Sequence, residues 1–275
     1  MWQELVTQNP MLIEIARFRR RFLSFSGSNA LNGIVLGLAI VCYFGLLMLV
    51  FSARGSMPPI ALVMVQTFIF LFATPSILYA AIAGEREKRT WDLLLAAPIT
   101  QAQIVVGKFI GAMAAIGVGF GLFLVPVLVT AVEYEKTNWQ DLILSELVSI
   151  TFIIALATVT LFFSARTRRA FMALGTVLAT LAIFLLIVPL LSSAMLPDQV
   201  ITDLVNFFHP FYVLTHLAMA GENVNESFNG MNLYSWGWPQ VFAYLAMAGV
   251  FLVWTARTLN FAENDVKFIP ANKDA

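Results

Sequence analysis

Residues 84–108 read GEREKRTWDLLLAAPITQAQIVVGK, the densest charged island in a chain that is 60% hydrophobic and only 12% charged. Apolar runs flank it, Ile60–Ala83 before and Phe109–Val132 after. Each is long enough to cross a hydrocarbon core of about 30 Å at about 1.5 Å per residue. The stretch is therefore a loop between two spans, and it carries its own helix signals. Thr90 is placed to cap a short helix, with Asp92 in its first turn, where a carboxylate meets the positive helix end. Leu93, Leu94 and Leu95 give that helix an apolar surface, and Pro98 stops it. Thr100 and Gln103 then form a T-x-x-Q capping box, with Ile99 and Ile104 spaced as a hydrophobic staple. A helix starting at Gln101 would run straight into the next span. Exposed leucines in a short loop have two readings: an interfacial helix resting on headgroups, or a knob that docks into a soluble partner.

No soluble domain of 275 residues shows water so little polar surface, so the composition predicts an all-α, polytopic membrane protein. Six spans are expected near Leu31–Phe51, Ile60–Ala83, Phe109–Val132, Leu142–Ala165, Ala170–Ala194 and Gln240–Thr258. With the amino terminus inside, the inner segments hold Arg17, Arg19, Arg20, Arg21, Arg86, Lys88, Arg89, Lys108, Arg166, Arg168, Arg169, Arg257, Lys267 and Lys273. The outer segments hold only Arg54 and Lys136, a strong positive-inside bias. Both termini are thus expected in the cytoplasm, in a multi-pass protein of the cell (inner) membrane. Tyr134, Trp139, Tyr234, Trp236 and Trp238 fall at the expected outer interface.

The chain reads as one transmembrane domain, 1–275, with four appended features. Residues 1–29 form an amphipathic interfacial helix: Asn9-Pro10 starts it, Met11, Ile15, Phe18, Phe22 and Phe25 line its apolar side, and Arg17, Arg20 and Arg21 anchor it at headgroups. Those phenylalanines argue against a nucleic-acid arm, and no cleavable signal peptide is expected. Residues 84–108 are the loop described above. Residues 195–239 form an external excursion, because Asp203, Asn206 and His209-Pro210 interrupt the apolar stretch Ile201–Ala220; a seventh crossing would place Arg257 outside. Residues 259–275 are an inner tail.

Candidate chemistry is sparse. No G-x-x-x-x-G-K-[ST] motif occurs, so no P-loop ATP site is expected in this chain. Cys42 is alone and lies in a span. His209 and His216, the only histidines, lack a clear third ligand, and no metal or cofactor site is assigned. No ionisable residue is expected near a span centre, which argues against an ion-coupled carrier and an intramembrane hydrolase. Catalytic residues are therefore expected to be absent. Glycine pairs at Gly107/Gly111 and Gly117/Gly121 suggest close packing within the third span's neighbourhood. Pro75, Pro126 and Pro189 predict kinks, and Asn225-Glu226-Ser227 matches a glycosylation sequon.

The run of Glu85, Glu87, Thr90, Asp92, Leu94, Leu95, Pro98, Ile99, Thr100, Gly107 and Lys108 resembles the first cytoplasmic loop of type-2 ABC transporter permeases. That family usually has glycine before the threonine; Arg89 stands there here. The resemblance implies a membrane-spanning exporter subunit, working as a dimer with a second copy or a paralogue, each docked on a separate ATPase that binds ATP. It implies that the loop is a coupling helix, with Glu85, Glu87, Thr90, Trp91, Asp92, Leu93, Leu94, Leu95 and Pro98 contacting the ATPase. It also implies external re-entrant helices, and Pro210 through Gly221 is similar to that pattern. Rival readings are a non-transporting scaffold of a motility, secretion or copper-maturation system, and a lipid-modifying enzyme using Asp203 and His209.

Overall fold

The computed structural model describes residues 43–53, 55–91, 94, 99–195, 199–220 and 237–267. Among these, every regular element is helical. In chain order they are α1 (Tyr43–Ala53), α2 (Pro59–Leu78), α3 (Ala83–Glu87), α4 (Gln101–Glu133), α5 (Trp139–Arg166) and α6 (Ala170–Ala182). A π-turn (Ile183–Ile187) joins α6 to α7 (Val188–Met195), followed by α8 (Gln199–Val205), α9 (Pro210–Ala220) and α10 (Trp238–Lys267). Five stretches are long and apolar enough to cross a membrane: Pro59–Glu87, Gln101–Glu133, Trp139–Arg166, Ala170–Met195 and Trp238–Leu259. They match the second to sixth expected spans. Of the first expected span only its end is described, as the apolar helix α1, so the count of six is not reached among the described residues.

Polarity is distributed inside out. Buried positions include Gln66, Thr67, Thr74, Ser145, Ser149, Thr158, Thr160, Ser164, Gln240 and Thr255. Large apolar side chains such as Phe171, Met172, Leu186, Leu190 and Met195 face outward. Water would penalise that surface, whereas lipid tolerates it and favours small and hydroxyl residues between helices. α5 is the hub: 72% of its apolar stretch is buried, against 11% for Ala170–Met195. It packs against α2, α6, α9 and α10. Val63, Phe70, Phe120, Val148, Phe152, Leu214 and Tyr244 share the larger core. Leu78, Ile82, Val105, Leu161, Ala165 and Leu259 share a second core at one end of the bundle.

That end gathers the 79–100 and 167–169 connections, and with them Arg86, Lys88, Arg89, Lys108, Arg166, Arg168 and Arg169. We call it the basic end. The opposite end brings Gly55 against the Glu133 carbonyl and Gly237 against Leu144. Gly237 has φ +103°, and an added Cβ would lie 2.7 Å from Leu144, so its φ and the close approach both require glycine.

One expectation about packing changes. Gly117 and Gly121 have open space where a Cβ would be, so they bring no helix close within the chain. The glycine that does so is Gly119, which lies against the Phe70 ring. Pro189 follows a π-turn, because a proline has no N–H to give the carbonyl four residues back. That carbonyl, of Leu185, accepts instead from His209 Nε2 at 3.3 Å.

The stretch 201–220 is two short helices, α8 and α9, of 7 and 11 residues, parted by a turn at 206–208. Side chains from other elements hold the turn in place. Asn206, 3% exposed, donates to Ser192 Oγ at 3.0 Å, and the Tyr244 hydroxyl donates to the Phe208 carbonyl at 2.8 Å. Irregular backbone inside a helical bundle needs this kind of protein cover. Residues 1–42, with the anchor Arg17, Phe18, Arg20, Arg21 and Phe22, Cys42, the sequon and the tail beyond 267 lie outside the described residues.

Candidate coupling site at the basic end

α2 ends at Leu78, and the chain turns through 79–82 before α3. Such a break frees backbone groups that need partners. Ser164 on α5 supplies them: its Oγ accepts from the N–H groups of Ile82 and Ala83, each at 3.0 Å, and donates to the Tyr79 carbonyl at 2.8 Å. A single buried hydroxyl thus fastens the α2–α3 break to the hub helix.

α3 is five residues long and is tied on three sides. Glu85 Oε1 meets Lys108 Nζ of α4 at 2.5 Å, with side chains 30% and 13% exposed. Arg86 donates to the Ala165 carbonyl at the end of α5 and lies over the Trp91 ring, 5.2 Å from its centroid. Glu87 Oε2 accepts from the Ala170 N–H at 3.0 Å. Arg169, the residue before α6, makes no side-chain cap, so Glu87 caps that helix from another element and places a carboxylate at its positive end.

α3 then closes in a Schellman motif. The Thr90 N–H reaches the Glu85 carbonyl at 2.9 Å and the Arg89 N–H reaches the Arg86 carbonyl at 3.1 Å. Arg89 has φ 56°, the left-handed conformation that the motif demands. The position where the related loops carry glycine is thus a glycine-like position, held here by arginine. Beyond it, Thr90 is exposed, Trp91 is half-buried against the basic-end core, and Leu94 is half-buried, its N–H reaching the Thr90 carbonyl at 3.3 Å. The side chains of Asp92, Leu93, Leu95 and Pro98 lie outside the described residues. The loop's return is the capping box read from sequence: Gln103 N–H donates to Thr100 Oγ1 at 3.3 Å and Thr100 N–H to Gln103 Oε1 at 2.8 Å.

In the fold Glu85 and Glu87 face other helices of the same chain, so they position the loop. Geometrically, the start of the 84–108 segment is pinned to α4, α5 and α6.

Residues 64–266 match the family model described as ABC-2 family transporter protein. The chain belongs to the ABC-2 transporter family. No curated protein matches the sequence significantly. Membership makes this ABC-2 chain a multi-pass membrane permease of an ABC transporter and implies an ABC ATPase subunit as its partner.

His209 and His216 of the ABC-2 chain do not form a pair of ligands with a third group; among the described residues no three His, Cys, Asp or Glu side chains gather for a metal. His209 instead caps α9. Its Nδ1 accepts from the Tyr212 N–H at 3.0 Å, which leaves the hydrogen on Nε2 for the Leu185 carbonyl. Burial holds its pKa below the ordinary histidine value. The His216 ring lies edge-on to Tyr212 at 4.6 Å. Sequence reasoning passed over Ser164 and Glu146. Ser164 looks like any span serine, and Glu146 lies toward the end of α5 away from the basic end, off the span centre.

Proposed function

We propose that this chain is the membrane-spanning subunit of an ATP-driven exporter, moved by a separate ATPase through the 84–108 loop. The observation that carries this reading is the pinned base of that loop. A push on Trp91 and Leu94 reaches α4 through Glu85–Lys108, α5 through Arg86–Ala165 and Ser164, and α6 through Glu87. Three spans then respond together rather than one loop yielding alone. A headgroup-resting helix has no need of such an anchorage. The concentration of lysine and arginine at the basic end supports a cytoplasmic placement for it, and with it cytoplasmic termini in the inner membrane. The outward apolar faces suit lipid and a second permease, in a dimer of permeases on two ATPases. Residues 1–29 would lie in the interface, anchored by Arg17, Arg20 and Arg21.

The test is recovery of the ATPase. Leu94 is half-buried at the free side of the loop, and burying a leucine in a protein groove is worth roughly 1.5–3 kcal/mol. Leu94→Asp puts a charge into that contact. At equal membrane levels, wild-type permease should retain the ATPase through purification and Leu94→Asp should lose it. Equal recovery would refute the coupling role.

A further inference from the structure

We infer that Gln66 and Glu146 form a proton-binding site between α2 and α5, with Glu146 held as the neutral acid and its proton shared with the Gln66 carboxamide.

The site is built from buried polar groups. Gln66, Thr67, Ser145 and Ser149 are each 0% exposed. Thr67 Oγ1 and Ser149 Oγ lie 2.6 Å apart, and Gln66 Nε2 donates to Glu146 Oε2 at 3.2 Å. Two atoms are left over: Gln66 Oε1 and Glu146 Oε1, both buried and both without a partner. Both are acceptors if Glu146 is ionised, so neither serves the other. The ion pair seen among the described residues, Lys108–Glu85, is at the basic end, and no described lysine or arginine pairs with Glu146. An ionised carboxylate in a span, with one neutral hydrogen bond and no counter-charge, is the arrangement that burial disfavours most.

One proton removes both defects. On Glu146 Oε1 it turns an orphan acceptor into a donor, and Gln66 Oε1 is the acceptor that lacks one. A carboxylic acid and a primary carboxamide are complementary, each donating once and accepting once. A metal ion fits less well, because hard cations want a fuller shell of free oxygens, and the two nearby hydroxyls already bond each other. The pair lies where α2 meets the hub helix. Loss of the proton would leave two buried acceptors without donors and a charge there, so the site makes this contact sensitive to protonation.

The experiment uses the full chain in lipid nanodiscs. Infrared spectra should contain the carbonyl stretch of a protonated carboxylic acid, separate from the amide envelope and shifted in heavy water. Glu146→Gln keeps the shape and supplies an N–H where the acid proton was, so it should fold and lack that band. Wild-type thermal stability should fall on alkalinisation, while Glu146→Gln should be insensitive over the same range. Identical spectra in the two proteins would overturn the inference, as would removal of the band by sodium chloride at constant pH, which would make the site a cation site. Should Glu146→Gln fail to accumulate, Gln66→Met tests the same point: the acid band should move to the position of an acid without its acceptor, and an unmoved band would refute the pairing.

Discussion

Glu85 and Lys108 stand 23 residues apart in sequence and 2.5 Å apart in space, closing the 84–108 loop at its base. The contact is mostly shielded from water on the lysine side, so it is worth more than an exposed pair, for which about 0–1 kcal/mol is usual. Glu85→Ala and Lys108→Ala should each lower the melting temperature, and the double variant should fall little further. A double-mutant cycle in detergent should give a coupling energy of about 1–2 kcal/mol. Additive losses would show that the two side chains do not act together.

Ser164→Ala should be more damaging than its size suggests. It leaves the Ile82 and Ala83 N–H groups and the Tyr79 carbonyl without their partner, at on the order of 1–3 kcal/mol for each group left unsatisfied. Ser76→Ala is the control, because Ser76 donates only to the Phe72 carbonyl of its own helix at 2.8 Å and is exposed. Chemical unfolding should separate the two variants clearly, with Ser76→Ala near wild type.

Arg89→Gly should stabilise the protein. A left-handed arginine costs about 1–2 kcal/mol, and glycine returns part of that through its freer unfolded chain. A net gain of roughly 0.5–1 kcal/mol is expected. Arg89→Val should move the other way, since a β-branched residue is worse at positive φ. Thermal unfolding of the three proteins decides it.

His209 predicts an acid limit. Its pKa in the fold lies below the ordinary value because burial disfavours the charged ring. The unfolded chain then binds the proton more readily, so the stabilisation is present above the ordinary histidine range and is lost as pH falls toward the folded value. Protonation also takes Nδ1 away from the Tyr212 N–H. Wild type should lose stability on acidification through this step. His209→Asn, which retains a capping acceptor, should fold and lose less.

Some of this was legible in the sequence because both partners sit within one turn. Thr100 and Gln103 announce their capping box locally, and the α4 start followed from it. The apolar run lengths placed five of the spans in the same way. Glu85 and Glu87 were visible as charges, but nothing nearby in the chain says that Lys108 and the Ala170 N–H wait across the fold. Ser164 was hidden for the same reason, its partners lying more than 80 residues away. Pro189 advertised a disturbance of its helix, yet the π-turn and the histidine that fills the vacated bond depend on where α9 returns. No metal site was assigned to His209, and its role as a cap shows only in the fold, where Nδ1 meets the Tyr212 N–H.

The Ser164 clamp also sets an order of events during biosynthesis. Ile82 precedes Ser164 by 82 residues. At about 5–20 residues per second, the ribosome makes the α2–α3 break roughly 4–16 s before the hydroxyl that completes it. Through that interval the newly inserted hairpin of α2 and α4 carries unpaired backbone groups and must be shielded by water at the membrane surface or by the insertion machinery. A nascent chain arrested between the two should therefore be the species most exposed to membrane proteases, and release of the arrest past α5 should end that exposure.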